Sequence, residues 1–318
     1  MKILITGGCG FIGSNFIRYF IKEHPDFKII NLDKLTYAGN LKNLKDIEKN
    51  KNYKFIKGDI CNLELVKKLV KTCDFIINFA AQTHVDRSIV SSYEFIKTNI
   101  YGTWALLEAC KTKKIKKFIQ ISTDEVYGSI ETGSFIETDG LYPSSPYSAS
   151  KAGADLLCNA YFKTYGVPVI IIRSVNNFGP YQYPEKVIPL FITNLLEKKK
   201  IPIYGDGQNI RDWIYVLDNV RAIDFILFKG EIGEIYNVSA DNEISNLELA
   251  NLILKKLNLD QSFIKYIKDR PGHDRRYSLD SSKLKNLGFK LIYDFEKSLE
   301  ATIDWYKENK NWWKALKS

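Results

Sequence analysis

Tyr147 and Lys151 stand four residues apart in the segment Tyr147-Ser148-Ala149-Ser150-Lys151. On a helix that spacing puts both side chains on one face. An ammonium beside a phenol favours the phenolate, so the tyrosine pKa is expected to fall from about 10 towards neutrality. A phenolate of that kind removes the proton of a substrate hydroxyl. Thr123, at the end of a strand-like run, offers a hydroxyl to orient a substrate oxygen. Asp124 and Glu125 follow directly. Adjacent acids in a confined site repel one another, which raises one pKa and splits their roles. A simple dehydrogenation needs no such pair. Elimination of water does: one carboxyl protonates a leaving hydroxyl while one carboxylate takes a carbon-bound proton. The bland alternative is an acid pair supporting a helix N-terminus.

Gly7, Gly10 and Gly13 are spaced G-x-x-G-x-x-G between a strand-like run, Lys2–Thr6, and a helical pattern, Ile12–Glu23. Glycines there allow a tight turn, close approach of backbone amides to a pyrophosphate, and close helix–strand packing. The helix N-terminus then turns its partial positive charge on the phosphates. Asp33 ends the second strand-like run 20 residues after Gly13. A carboxylate in that place accepts hydrogen bonds from both adenosine ribose hydroxyls and repels a 2′-phosphate, so NAD is expected rather than NADP. Asp59 ends the third run, where it holds the adenine or is an ordinary turn aspartate.

Strand-like runs at Lys28–Leu32, Tyr53–Lys57, Phe75–Phe79, Lys117–Ser122 and Pro168–Arg173 alternate with helical patterns at Leu63–Lys71, Tyr93–Lys111 and Tyr147–Tyr165. The runs are nearly continuous Ile, Leu, Val and Phe, as for strands buried on both faces. The expected fold is α/β, a Rossmann-type doubly wound parallel sheet with a smaller C-terminal α/β substrate lobe. The division falls near residue 175, where prolines and the Gly205-Asp206-Gly207 turn change the rhythm. Residues 1–175 form the nucleotide domain. Residues 176–318 form mainly the other lobe, with some segments returning to the first.

The 318 residues carry 46 Lys plus Arg against 37 Asp plus Glu, a formal charge of +9. That suits an anionic partner: a nucleic acid, an acidic membrane or a phosphorylated small molecule. The basic residues are spread, and runs such as Lys198–Lys200 read as solvated surface. Without interleaved aromatics they point away from nucleic acid. Five separated cysteines without CxxC spacing argue against disulfides or a metal site, and for reduced thiols in a cytoplasmic protein. Met1 leads straight into a strand-like run with no leader pattern, and no apolar stretch approaches a membrane span.

On the segments Gly7–Ser14, Asp33–Asn40, Asp59–Cys61, Ala80–Ser88, Ser122–Gly128, Ser145–Ala152, Asn176–Leu190, Ile203–Tyr215 and Asp269–Tyr277, the chain resembles the dTDP-glucose 4,6-dehydratase family. These are NAD-dependent hydro-lyases among the extended short-chain dehydrogenase/reductases, in the epimerase/dehydratase group. The most specific stretches are Thr-Asp-Glu-Val-Tyr-Gly at 123–128 and Asp-Arg-Pro-Gly-His-Asp-Arg-Arg-Tyr at 269–277. The resemblance implies oxidation of the glucose C4 hydroxyl by Tyr147 and NAD, loss of water with Glu125 as base and Asp124 as acid, and return of hydride to C6. Lys151 also holds the nicotinamide ribose.

By resemblance the NAD site is lined by Phe11, Ile12, Asp33, Lys34, Thr36, Asp59 and Ile60, then by Ala80, Ala81, Thr83, Thr98, Tyr147, Lys151 and Asn177. The sugar nucleotide faces His84, Thr123, Asn176, Lys186, Tyr204, Arg211, Asn237 and His273. Arg211 presents a guanidinium fork suited to a diphosphate, or pairs structurally with Asp212. Tyr204 stacks on the thymine or is a core strand aromatic. Helices 93–111 and 147–165 resemble those the family pairs into a four-helix dimer interface. Arg173-Ser174-Val175 and Cys9 depart from the family's common residues. The rivals are UDP- or GDP-sugar dehydratases, epimerases and decarboxylases. An epimerase has no use for Asp124 and Glu125.

Overall fold

The structure, a computed structural model, describes residues 1–317. Its main sheet has seven strands: β1 (Lys2–Thr6), β2 (Lys28–Asp33), β3 (Tyr53–Lys57), β4 (Phe75–Asn78), β5 (Lys117–Thr123), β6 (Val169–Ser174) and, from far along the chain, β10 (Ile235–Val238). They lie in the order β10-β6-β5-β4-β1-β2-β3, and all pairings are parallel. The order reverses at β1 and β4, so a crevice opens at the carboxyl ends of those two strands.

Alternate β1 residues serve opposite cores. Ile3 and Ile5 pack with Phe16 and Phe20 of the helix Phe11–Glu23 and with Ile223 and Ile226 of the helix Val216–Lys229. Leu4 packs with Val66, Leu106, Phe118 and Cys158 on the other face. All of these are essentially sealed from solvent. Each buried aliphatic side chain contributes about 1.5–3 kcal/mol, so the sheet ends beneath the crevice are held rigidly.

The second half of the chain builds β7 (Asn176–Phe178), β8 (Ile201–Tyr204), β9 (Ile210–Tyr215), β11 (Glu243–Ser245) and β12 (Ile264–Ile267). They form a three-stranded sheet, β11-β9-β7, and a β12-β8 pair. A third core of Phe191, Trp213, Leu249, Ile303 and Trp313 lies beneath them. Both β10 and the helix Val216–Lys229 cross back to the main sheet.

Two local features position chemistry. The helix Pro146–Tyr165 begins with a capping box between Ser145 and Ser148 and with proline in its first turn, and stops at Gly166 with φ 66°. Tyr147 is thereby fixed in the first turn. The stretch expected as one helix over 93–111 contains a π-helical segment, Ile96–Gly102, before Thr103–Cys110. Within it Asn99 accepts from the Gln82 amide (2.9 Å) and donates to Ser150 Oγ (2.8 Å). Gly102 lies where a Cβ would come within 2.4 Å of Ile60, so the wide turn brings the segment close to the β3 end.

Near the end of the chain, Trp312 Nε1 donates to Asn43 Oδ1 (2.8 Å), and Asn43 Nδ2 donates to the Cys9 carbonyl (2.9 Å). Tyr306 donates to the Gln182 carbonyl, and Tyr183 to that of Leu316. This segment therefore braces the glycine loop and one cleft wall.

Candidate active site

One cleft follows the carboxyl ends of the strands. Gly7, Gly10, Phe11, Ile12, Gly13, Asp33, Lys34, Thr36, Asp59, Ile60, Ala80, Ala81, Thr83 and Thr98 line it at one end. Thr123, Asp124, Glu125, Tyr147, Lys151, Asn176, Asn177 and Lys186 line the other. Residues drawn from across the first 186 positions thus meet along a single trough.

At the first end the backbone governs. Gly7 has φ +69°, and a Cβ there would lie 2.6 Å from the Ala80 nitrogen. A Cβ on Gly13 would lie 2.6 Å from the Gly7 carbonyl. The helix beginning at Phe11 takes no side-chain cap, so its first amides are not claimed by a capping side chain. Asp33 accepts from the Cys9 and Leu35 amides, each at 2.8 Å. Burial raises its pKa while those two amides oppose the rise. Lys34 pairs with Asp59 at 2.8 Å. Burial pushes Asp59 up, but Lys34 and the Cys61 amide outweigh it and leave it below the usual carboxylate range. Amides at a helix start, an acid at the second strand end and a methyl-free loop fit an adenosine dinucleotide without a 2′-phosphate.

At the other end charge governs. Thr123 Oγ1 donates to Asp124 Oδ1 (3.0 Å) and accepts from the Glu125 amide (3.3 Å). Asp124 is buried, and its Oδ2 has no partner. Burial, reinforced by Glu125, pushes its pKa up to about 7. Burial also raises Glu125, against the opposing charges of Arg211, Arg270 and Lys186. The two acids differ in surroundings as a split of roles requires.

The expected lowering of Tyr147 by Lys151 is not what this geometry shows. Burial, with Glu125 next, drives Tyr147 well above its ordinary value, and only the Thr123 hydroxyl bond pulls it down. The Lys151 ammonium is held instead by the Ile121 carbonyl at 2.6 Å. Burial lowers its own pKa.

The remaining expected residues divide. His84 caps the helix Val85–Val90 by accepting from the Arg87 amide (3.4 Å), with Glu185 3.7 Å from its Nε2. Tyr204 donates to Asp86 (3.2 Å) rather than filling a core, and its ring meets His273 edge-on. Arg270 also holds Asp86, and His273 bonds Asp269 at 2.6 Å. Arg211 does not pair with Asp212. Its guanidinium donates to the carbonyls of Ile210 and Asp274 and lies over the Tyr277 ring. Asp212, on the next β9 position, accepts from Ser239 and from the amides of Ala240, Asp241 and Asn242. Successive strand residues face opposite ways, which separates the two charges.

Asn237 is a correction. It is fully buried on β10, accepting from Tyr127 (2.9 Å) and donating to the Phe135 carbonyl (3.0 Å). Neither end of its amide is free for a ligand. Other cleft groups were missed. Glu185 lines the cleft, binds Arg87 at 2.7 Å and keeps a buried oxygen without a partner. Tyr37 lies under Arg87. Both stand in quoted segments, beside Thr36 and Lys186, so the signal was there.

Residues 4–302 match the family model described as GDP-mannose 4,6 dehydratase. A dTDP-glucose 4,6-dehydratase of Streptomyces niveus is 47% identical over 100% of this chain and 96% of its own length. A trifunctional UDP-glucose 4,6-dehydratase of Arabidopsis thaliana is 47% identical over 98% of this chain, which spans 48% of that longer protein. The crystal structure of a Streptomyces venezuelae dTDP-glucose 4,6-dehydratase with NAD and dTDP bound superposes with a TM-score of 0.98, at 45% identity, over 99% of this chain and 100% of that one. With the acid pair, the tyrosine–lysine helix and the glycine loop gathered in one trough, the chain belongs to the NAD-dependent epimerase/dehydratase family, in its nucleotide-sugar 4,6-dehydratase branch.

Proposed function

We propose that this chain converts dTDP-glucose to dTDP-4-keto-6-deoxy-glucose and water, as a step of deoxysugar biosynthesis. The single observation that carries it is the placement of Asp124 and Glu125 in the cleft beside Tyr147, with Thr123 between them and the phenol. NAD, when bound, supplies a hydride acceptor and donor. Gly7, Gly10, Gly13, Asp33, Lys34 and Asp59 would hold its adenosine diphosphate half, and Lys151 and Asn177 its nicotinamide ribose.

Tyr147, which burial holds above its ordinary value and the Thr123 hydroxyl pulls down, must lose its own proton before it takes that of the C4 hydroxyl, whose oxygen Thr123 orients. The 4-ketone acidifies the C5 proton, which Glu125 removes. Asp124, held protonated up to about pH 7, gives its proton to the departing C6 hydroxyl, and Glu125 gives its proton back to C5 as C6 receives the hydride that NAD would return. Lys186 and Arg270 balance Glu125 while it is ionised. Arg211 and His273, which stand near one another, would face the diphosphate, and the Tyr204 ring, edge-on to His273, would take the base.

Incubation with dTDP-glucose should yield a keto-sugar that develops a chromophore in alkali. No product would overturn the reading. The Arabidopsis relative supports a second one, UDP-glucose as substrate. Higher kcat/KM with UDP-glucose would replace the first with it.

The same proposal includes a nucleotide lobe over 1–175 with a sugar lobe mainly over 176–318, supported by the separate third core. It includes a homodimer through a four-helix bundle. Val90, Tyr93, Ile96 and Leu156 are 88%, 66%, 52% and 60% exposed on four neighbouring helical segments, an apolar face suited to a second copy. Leu156→Glu should give a monomer in sedimentation while the parent runs as a dimer. Free cysteines throughout, and no helix among the described residues long and apolar enough to cross a membrane, support the cytoplasm.

A further inference from the structure

We propose that Asp155 is a positioning residue for Lys151, acting with Ser122 and Arg173 as a buried brace behind the tyrosine–lysine pair. The inference rests on the reading of Tyr147 and Lys151 given above. Residues 147, 151 and 155 succeed one another at intervals of four on the helix Pro146–Tyr165, so they share a face. The first two line the cleft, and Asp155 lies behind them with no exposed surface.

Two strands meet that face. Ile121 and Ser122 are consecutive on β5. The Ile121 carbonyl accepts from Lys151 Nζ at 2.6 Å, and the Ser122 hydroxyl donates to Asp155 Oδ2 at 3.0 Å. Arg173 lies opposite Ser122 in the β5–β6 register, and its Nε donates to the same Asp155 oxygen at 2.9 Å. The far side of its guanidinium covers the Tyr127 ring at 4.6 Å. Tyr127 is tied by its hydroxyl to Asn237. The buried asparagine that does not reach the cleft therefore anchors the outer end of this brace.

The hydrogen-bonded partner of Lys151 is a neutral carbonyl. A buried ammonium with only a neutral partner tends to lose its proton. Asp155 is the leading opposing influence and favours the cation. The other titratable neighbours are Cys158 on the same helix, in turn near Cys110 of the packed helix, and Tyr147 with Asp124 and Glu125 at the cleft end. Burial raises Asp155, and Arg173, Lys151 and the Ser122 hydroxyl oppose that rise and favour its carboxylate. Buried ion pairs are poor stabilisers compared with packed apolar side chains. A purely structural pair is therefore replaceable as a unit, whereas a positioning pair is not.

The test uses Asp155→Asn, Arg173→Met and the double variant in the full-length protein. Lys151 is titrated by the carbon-13 shift of labelled lysine ε-carbons, assigned by its loss in Lys151→Met. The pH profile of dTDP-glucose turnover is recorded alongside. In Asp155→Asn the Lys151 midpoint should move down, and the alkaline limb of kcat should follow it by about one pH unit, a roughly tenfold loss at a fixed pH on that limb. If Asp155→Asn does not fold, the double variant decides. Its melting temperature should recover towards the parent while its Lys151 midpoint stays low. A double variant whose midpoint coincides with the parent's would overturn the proposal and leave the pair structural. A shifted midpoint in a protein that does not turn over dTDP-glucose would sustain the brace and sink the substrate reading. Normal turnover with an unmoved midpoint would do the reverse.

Discussion

The two ends of the cleft are built from different materials. At the nucleotide end the fit is one of backbone: positive φ at Gly7, no room for a methyl at Gly7 or Gly13, and a carboxylate at Asp33 whose oxygens already accept from Cys9 and Leu35. At the reaction end the fit is one of charge. Glu125 faces Arg211, Arg270 and Lys186, and buried oxygens of Asp124, Asn176 and Glu185 have no protein partner. Such atoms occur elsewhere too, on Asn219 and Ser281 among others, but those of Asp124, Asn176 and Glu185 belong to residues lining the cleft, where a polar ligand can reach them. One end is shaped in advance, and the other is left electrostatically unfinished.

Glu125→Gln breaks the charged end alone and should have the largest effect. Turnover should fall roughly 10²- to 10⁴-fold, and C5 proton exchange should be lost with it. Bound NAD content and reduction of the cofactor by substrate should persist, read by absorbance. Undiminished turnover would refute the base assignment.

Gly7→Ala breaks the backbone end alone. The strained φ and the 2.6 Å approach to Ala80 should cost about 1–3 kcal/mol in chemical denaturation and deplete NAD from the purified protein. Near-normal NAD content would erase the contrast.

Asp124→Asn should sharpen the comparison with the smallest effect. The folded pKa of about 7 lies above the ordinary 3.8. Between those values the fold holds more protons than the unfolded chain, so this group's contribution to stability is lost as pH rises towards 7. The asparagine variant should therefore melt about 2 °C or more above the parent at pH 8, with little difference at pH 4, although it is impaired in dehydration. Equal melting at pH 8 would mean that the acid is not held protonated by its site.

The backbone end was also the more legible one in the sequence. Its glycines, Asp33 and Asp59 lie at strand ends that continuous apolar runs announce. Parallel strands align such ends automatically, so local pattern sufficed. The charged end draws Glu125, Lys186, Arg211 and Arg270 from separate segments, and spacing cannot say which of two neighbours faces inward. Arg211 and Asp212 show this, because strand alternation sends them to opposite sides. The family resemblance implies a place for Asn237 beside the sugar nucleotide. Its register beside Arg173 instead carries it into the interior. The π-helical segment left no periodic signature, because one widened turn barely disturbs the apolar spacing around it.

The indole of Trp312 reaches back across 269 residues to Asn43, whose amide steadies the Cys9 carbonyl in the glycine loop. That strut exists only once the segment bearing Trp312 has packed against the first part of the sheet. A change at Trp312 is therefore felt in the glycine loop itself, through Asn43 and the Cys9 carbonyl.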